Sequence, residues 1–258
     1  MVTIIVATYN RAHTLSRTIE SVLAQDFADW ELIVVDDGSE DGSVALVEGY
    51  ADPRIRLVRH DTNKGVAAAK NTGLNHIRGD WFTTIDSDDE MVSDALSAMV
   101  SAADRTGATA ITCNAIDSVT GALTGTGIQT DGWPDTGAGA ALRGVHWGIT
   151  RTTLLGDLRF DERLPWGEEA LWTKVGRRAR NYYLHRALLI VHTEGRDRLT
   201  LKNITRRGLG AKLRDFRALG EDTEYLEILR ESDPSGYARL RNRILVAKML
   251  RWPWKPGR

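Results

Sequence analysis

Short apolar runs alternate along the chain with stretches whose apolar residues recur every three or four positions. Residues 2–7 form a β-branched run that stops at Thr8-Tyr9-Asn10-Arg11, after which Leu15, Ile19, Val22 and Leu23 fall on one helical face. The cycle then repeats. A strand at 31–35 ends in Asp36-Asp37-Gly38-Ser39, and a helix is predicted over 43–50. A third strand at 54–59 leads into a helix over 65–77 that carries Ala67, Ala68, Ala69, Lys70 and Leu74. The next run, Trp81-Phe82-Thr83-Thr84-Ile85, passes straight into Asp86-Ser87-Asp88-Asp89-Glu90. Strands alternating with helices predict an α/β domain built on a mainly parallel sheet with helices on both faces. Ligands of such sheets bind beyond the carboxyl ends of the strands, which is where each of these polar clusters falls.

Farther along, a helix is expected over 93–106 with Ser93 as its N-cap, then a strand at 109–113. The Gly- and Thr-rich stretch 121–144 reads as a binding loop. A short strand at 145–149, a loop at 160–167, a helix over 168–178 and a last strand at 188–192 complete the body. Helical patterns follow over 204–219, 225–230 and 237–250. The expected organisation is a catalytic body over 1–200, with a nucleotide-binding half to 110 and an acceptor half from 111, followed by a helical extension over 201–258.

Composition narrows the function classes. Apolar residues make up 42% and charged residues 27% of the 258, enough to bury a sizeable core. A net charge of −1 argues against nucleic acid as a partner. The charge is uneven, however: from Arg196 onward Lys and Arg number 16 against 8 acids, leaving 18 against 27 before it. A basic tail on an acidic body suggests peripheral contact with an anionic membrane face. Cys113 is the single cysteine, so a reducing, cytoplasmic setting is expected. The run at 2–7 is too short for a secretory leader, and no stretch approaches the roughly 20 apolar residues of a membrane span.

The polar clusters suit a nucleotide-using enzyme. Four acids in the five positions 86–90 repel one another unless water or a shared cation relieves them. Hard carboxylate oxygens favour Mg²⁺ or Mn²⁺, with substrate phosphates completing the shell. Asp37 can accept from a base N–H, residues 8–11 can line the nucleotide, and Lys70 can meet a phosphate. Each cluster also has a plainer reading: a self-solvating acidic turn at 86–90, a capped turn at 36–39, a loop into a helix at 8–11, and a solvated lysine.

Taken together, Ile5-Val6-Ala7-Thr8-Tyr9-Asn10-Arg11, Val34-Val35-Asp36-Asp37-Gly38-Ser39, Asn63-Lys64-Gly65 with Lys70-Asn71, and Asp86-Ser87-Asp88-Asp89 resemble the family 2 glycosyltransferases over roughly residues 2 to 200. The resemblance implies a GT-A fold and cation-assisted, inverting transfer from a nucleotide-sugar donor to a glycan or lipid-linked acceptor. It implies nucleoside contacts from Thr8, Tyr9, Arg11 and Asp37, with Lys70 where an Arg is often found. Asp86-Ser87-Asp88 matches the family's DxD motif, with Asp88 as main metal ligand, Asp86 toward the ribose, and Asp89 near the donor sugar. Trp166-Gly167-Glu168-Glu169 matches a segment that usually carries Glu-Asp. Glu169 is therefore the expected general base, with Glu168 as its alternate, although the extra methylene departs from the pattern. His192 matches a histidine that many relatives place near the metal or diphosphate, and Arg196 and Arg198 could close over the phosphates. Trp147 and Trp166 could stack on an acceptor sugar or belong to the core.

Rival activities fit poorly. The first strand is followed by no glycine-rich turn, which argues against a dehydrogenase, and no P-loop is present. A Gln-x-x-Arg-Trp motif of processive synthases is also missing, because Lys248 stands where Gln belongs. A retired scaffold that binds a nucleotide or carbohydrate without turnover is the remaining alternative.

Overall fold

The computed structural model describes residues 1–126, 130–133, 143–164, 168–193 and 215–249. Its central sheet has eight strands in the order β3-β2-β1-β4-β9-β6-β10-β5. These are β1 (Val2–Thr8), β2 (Trp30–Asp36), β3 (Ile55–Arg59), β4 (Trp81–Asp86), β5 (Glu90–Met91), β6 (Ala110–Asp117), β9 (His146–Arg151) and β10 (Asn181–Val191). β1 to β4 are parallel, as expected, with β1 between β2 and β4 and β3 outside β2. Two strands depart from this: β9 runs antiparallel between β4 and β6 and joins the two halves into one sheet, and the two-residue β5 pairs antiparallel with β10.

Alternation along each strand divides the core in two. Ile4 and Val6 face α1 (Ala12–Leu23) and α4 (Ala95–Thr106), which contribute Leu15, Ile19, Leu96 and Met99. Ile5 and Phe82 face the other way, onto Leu74 of α3 (Val66–Asn75) and onto Leu171 and Val175 of α5 (Glu168–Arg178). A short helix, α2 (Ser43–Glu48), adds Val47 to the first layer.

Several boundaries differ from the sequence expectation. α4 is capped at Asp94 without a side-chain bond, not at Ser93. β10 begins at Asn181, seven residues before the predicted 188; its first half, Asn181 to Arg186, mixes polar and aromatic residues without a clean alternation, and register shifts interrupt it between Leu184 and Leu189. The stretch 121–144 holds a two-stranded hairpin, β7 (Gly125–Thr126) with β8 (Arg143–Gly144); positions 127–129 and 134–142 lie outside the described residues. Of the helix expected over 204–219, residues 215–219 are helical and the remainder lies outside the description.

The extension continues as α6 (Thr223–Ser232) and α7 (Pro234–Met249). Acidic residues of the extension meet basic residues of α5. Asp222 meets Lys174 of α5 at 2.6 Å and Glu231 meets Arg177 at 2.9 Å. The second pair is more than half exposed and is worth little in itself, whereas the first is largely shielded.

The element that positions the acidic loop is α1. Besides its apolar stripe it carries a polar one, Thr14, Thr18 and Ser21, which Gln25 continues just past the end of the helix. Thr14 Oγ1 donates to the Ser87 carbonyl at 2.9 Å, and Thr18 Oγ1 donates to that of Asp89 at 2.8 Å. Ser21 Oγ accepts from Met91 N at 3.0 Å, and Gln25 Nε2 donates to the Val92 carbonyl at 2.8 Å. Arg17 adds a 2.6 Å bond from Nη2 to the Asp88 carbonyl. Thr18 is fully buried, so Thr18→Val keeps the volume but removes the donor from a buried carbonyl. The variant is expected to lose about 1–3 kcal/mol in urea unfolding; an unchanged midpoint would show that the loop does not rely on α1.

Candidate active site

β1 and β2 end side by side, with Thr8 registered on Asp36. The loops that follow are stitched together. Asn10, at a φ of 53°, accepts from Glu40 N through Oδ1 and donates its own N–H to Ser39 Oγ at 2.9 Å. Asp41 and Ser43 cap the start of α1 from the neighbouring loop, accepting from Ala12 N and Arg11 N at 3.0 Å. A cavity of about 560 Å³ opens here, lined by Tyr9, Ser39, Arg59, His60 and Asn63 among others. The Tyr9 ring is exposed at its edge, whereas Thr8 is buried with its hydroxyl unpartnered.

Asp37 lies at the base of this region, 2% exposed. Its Oδ1 accepts from Lys64 N at 2.9 Å and sits 2.7 Å from His60 Nδ1, while Oδ2 accepts from Gly65 N at 2.8 Å. A carboxylate oxygen carries two lone pairs, so Oδ2 keeps capacity for a ligand N–H. His60 is held from its other side by Thr72, with Nε2 2.9 Å from Oγ1. Sequence reasoning missed His60, which looked like an ordinary residue after β3.

The end of β4 brings Asp86, Asp88 and Asp89 together, with one oxygen from each within 4.8 Å of the others. Asp86 is exposed, Asp88 half-buried and Asp89 buried. Asp89 Oδ1 accepts from His192 N at 3.1 Å, and His192 Nε2 lies 2.6 Å from Glu90 Oε1. His192 therefore flanks the cluster through Glu90 and Asp89 and is not one of the three grouped ligands. Arg11 Nη1 approaches Asp88 at 3.9 Å, and Arg17 Nε approaches Glu90 at 3.4 Å.

Lys70, on α3, joins the two halves of the site. Its Nζ donates to Asp86 Oδ1 at 3.2 Å and to Glu168 Oε1 at 2.5 Å. The ammonium is 3% exposed. Burial works against its charge, but the Asp86 and Glu168 carboxylates outweigh burial and hold the ammonium above its ordinary range. Lys70 thus stays a cation throughout the physiological range.

Glu168 and Glu169 open α5, where the helix dipole favours carboxylates. They part company at once: Glu168 turns to Lys70, while the exposed Glu169 carboxylate bears on the hydroxyl of Tyr225 on α6. Tyr225 is buried, and burial together with the Glu169 and Asp222 carboxylates raises its hydroxyl well above the usual tyrosine range. No signal in the sequence linked Tyr225 to Glu169, because 56 positions separate them.

The sequence left Trp147 open to either an acceptor sugar or the core, and its surroundings fit the core. It is buried, belongs to the core cluster on the α1 side of the sheet, and donates Nε1–H to the Thr84 carbonyl at 3.0 Å. A ring packed in this way has no face left for a sugar. Ser87 lends its carbonyl to Thr14 and is itself buried. Trp166, Arg196 and Arg198 lie outside the described residues.

A family model described as glycosyl transferase family 2 matches residues 3–134, just over half the chain. The chain is 31% identical over 219 residues to the GalNAc(5)-diNAcBac-PP-undecaprenol beta-1,3-glucosyltransferase of Campylobacter jejuni, covering 80% of this chain and 70% of that protein. It matches only 31% and 40% of the lengths of the first two curated relatives, which are 47% and 41% identical over that part. Its fold is like that of S. aureus TarS 1-349, solved with UDP-GlcNAc, at a TM-score of 0.72 and 19% identity over 96% of this chain and 72% of that one. It is also like that of the mannosyltransferase PcManGT of Pyrobaculum calidifontis, solved with GDP-Man and Mn²⁺, at a TM-score of 0.59 and 19% identity over 98% and 76% of the two chains. The matched segment contains β1 to β4, the Asp37 loop and the acidic cluster, and with this arrangement and these relatives the chain belongs to glycosyl transferase family 2.

Proposed function

We propose that this chain is an inverting glycosyltransferase that moves one sugar from a nucleoside-diphosphate sugar, of the UDP or dTDP kind, to a hydroxyl of a glycan or lipid-linked glycan. The observation that carries the reading is a single sheet edge on which three close carboxylates stand beside a buried lysine shared with Glu168. The UDP-GlcNAc complex of TarS and the undecaprenol-linked acceptor in the name of the Campylobacter relative support these substrate classes. Residues 8–11 and Asp37 would hold the nucleoside in the cavity beside Tyr9.

The donor set fits a hard divalent cation, Mn²⁺ or Mg²⁺, because three carboxylate oxygens converge and no soft ligand intrudes. Asp88 and Asp86 would hold it, with Asp89 toward the donor sugar and His192 supporting Asp89 and Glu90 from behind. When bound, the cation supplies positive charge to the diphosphate oxygens. Lys70 adds a fixed charge of its own on the same side.

Glu169 acts as the general base. It takes the proton from the acceptor hydroxyl as that oxygen bonds to the anomeric carbon, and the carbon–phosphate oxygen bond breaks on the opposite face. Its electron pair departs with the nucleoside diphosphate, so a single displacement inverts the configuration. Glu168, committed to Lys70, keeps that ammonium between the halves of the site.

The extension is the part assigned to the membrane. Arg239, Arg241 and Lys248 are exposed on α7 beside exposed Leu245 and Val246, a combination that suits the cytoplasmic, anionic face of a bilayer. Among the described residues no helix is long and apolar enough to cross a membrane.

Three measurements check this reading. Asp88→Asn should remove the Mn²⁺-dependent part of UDP affinity in calorimetry, and affinity that is unchanged with and without Mn²⁺ would discredit the cation site. Glu169→Gln should leave donor affinity near wild type and slow transfer by about 10²-fold or more; if Glu168→Gln does this in its place, the base is one residue earlier. Paired Arg241→Glu and Lys248→Glu should cut co-sedimentation with phosphatidylglycerol vesicles by about tenfold or more, and equal sedimentation would end the membrane assignment.

A further inference from the structure

The imidazole of His60, 8% exposed, is held between Asp37 on one side and α3 on the other. The residue follows β3, and its backbone N–H donates to the Asp36 carbonyl at 2.9 Å, which ties the end of β3 to the end of β2 just before Asp37. Gly38, at a φ of 78°, lets the next turn run close against the neighbouring loop: a Cβ there would stand 2.7 Å from the Thr62 carbonyl carbon. Gly38, His60 and Asn63 then line the cavity together with Tyr9.

Nδ1 of His60 lies 2.7 Å from Asp37 Oδ1, and a carboxylate oxygen can only accept, so that nitrogen carries a proton and donates it. Nε2 lies 2.9 Å from Thr72 Oγ1. A hydroxyl can donate or accept, so Thr72 suits the ring in either charge state. Lys64 N also donates to Oδ1, at 2.9 Å, which fills both lone pairs of that oxygen. Oδ2 takes one bond, from Gly65 N at 2.8 Å, and has one lone pair left. Asp37 can therefore accept from one ligand N–H and not from two.

A single open lone pair sorts the bases. Guanine presents N1–H and its N2 amine side by side, and a carboxylate pairs with both only when each oxygen is open. Cytosine has no proton at N3, and adenine has none at N1. Uracil and thymine present one N–H between two carbonyls, which matches the one acceptor. Resting on the reading of Asp37 as the acceptor for the base, we infer that His60, held by Thr72, is a specificity-determining residue: by occupying Oδ1 it leaves Asp37 one acceptor, admits a uracil or thymine nucleotide and shuts out guanine. Without the His60 donor, Oδ1 regains a lone pair and the carboxylate offers the second acceptor that guanine needs.

Calorimetry of the full chain with UDP, GDP and CDP, each with Mn²⁺, tests this, because the three share the ribose and diphosphate and differ in the base. The wild-type chain is expected to bind UDP about 10²-fold or more tighter than GDP or CDP. His60→Leu should cut the UDP-over-GDP ratio by about tenfold. His60→Asn, whose amide can still donate to Oδ1, should keep it. Thr72→Val, which frees the ring and leaves Asp37 untouched, should lower the ratio by a smaller factor. General damage to the fold weakens both nucleotides alike and leaves the ratio where it was. An unchanged ratio in His60→Leu, or in Thr72→Val where His60→Leu does not fold, overturns the inference and leaves the role of Asp37 standing. A ratio that falls as far in His60→Asn as in His60→Leu overturns it too, since the donor would then not matter. GDP bound as tightly as UDP by the wild-type chain has the same consequence. CDP bound as tightly as UDP shows that Asp37 does not read the base, and failure of all three to bind removes the donor class itself; the role of His60 falls in both cases.

Discussion

Carboxylates crowded at the end of β4 repel one another, and the surrounding structure is organised around holding them there. Buried charge is tolerated only where it is paired or bonded. Lys70 answers Asp86 from α3, Arg11 answers Asp88 from the loop after β1, and Arg17 answers Glu90 from α1. These cations come from three elements, so the cluster can form only when β1, α1, α3 and β4 are all in place.

The same economy runs through α1. One face buries Leu15, Ile19 and Val22 in the core, and an adjacent face carries the polar stripe that holds the backbone from Ser87 to Val92. Side-chain donors in a helix interior usually compete with the backbone for partners. Here they are aimed across to another segment, and their burial makes the contacts worth keeping. α5 repeats the device on the far side of the site, with its apolar residues in the second core layer and its first turn in the chemistry.

Most of the first half of the chain was legible in the sequence. β-branched runs ending in polar clusters announced β1, β2 and β4, and period-three spacing announced α1 and α3. The second half read less well because its strands carry polar residues: Asn181, His185 and Arg186 disguise the first half of β10, and β9 runs against the parallel pattern. Trp147 illustrates a limit of residue type. An indole suits a sugar or a core equally, and only the Thr84 carbonyl beneath Nε1 decides for the core. The partner of Glu168 was likewise hidden, since Lys70 lies far from it along the chain. The polar stripe that α1 begins and Gln25 continues was readable in principle, as Thr14, Thr18, Ser21 and Gln25 keep helical spacing beside the apolar one.

The acidic loop and its cations make one physical claim, that the end of β4 is a cradle for a divalent ion and a diphosphate together. Electron paramagnetic resonance of Mn²⁺ titrated into the wild-type chain, with and without UDP, reads this directly. One bound Mn²⁺ per chain whose affinity rises when UDP is present is the predicted result. Free Mn²⁺ spectra in both titrations, or binding indifferent to UDP, would contradict the account.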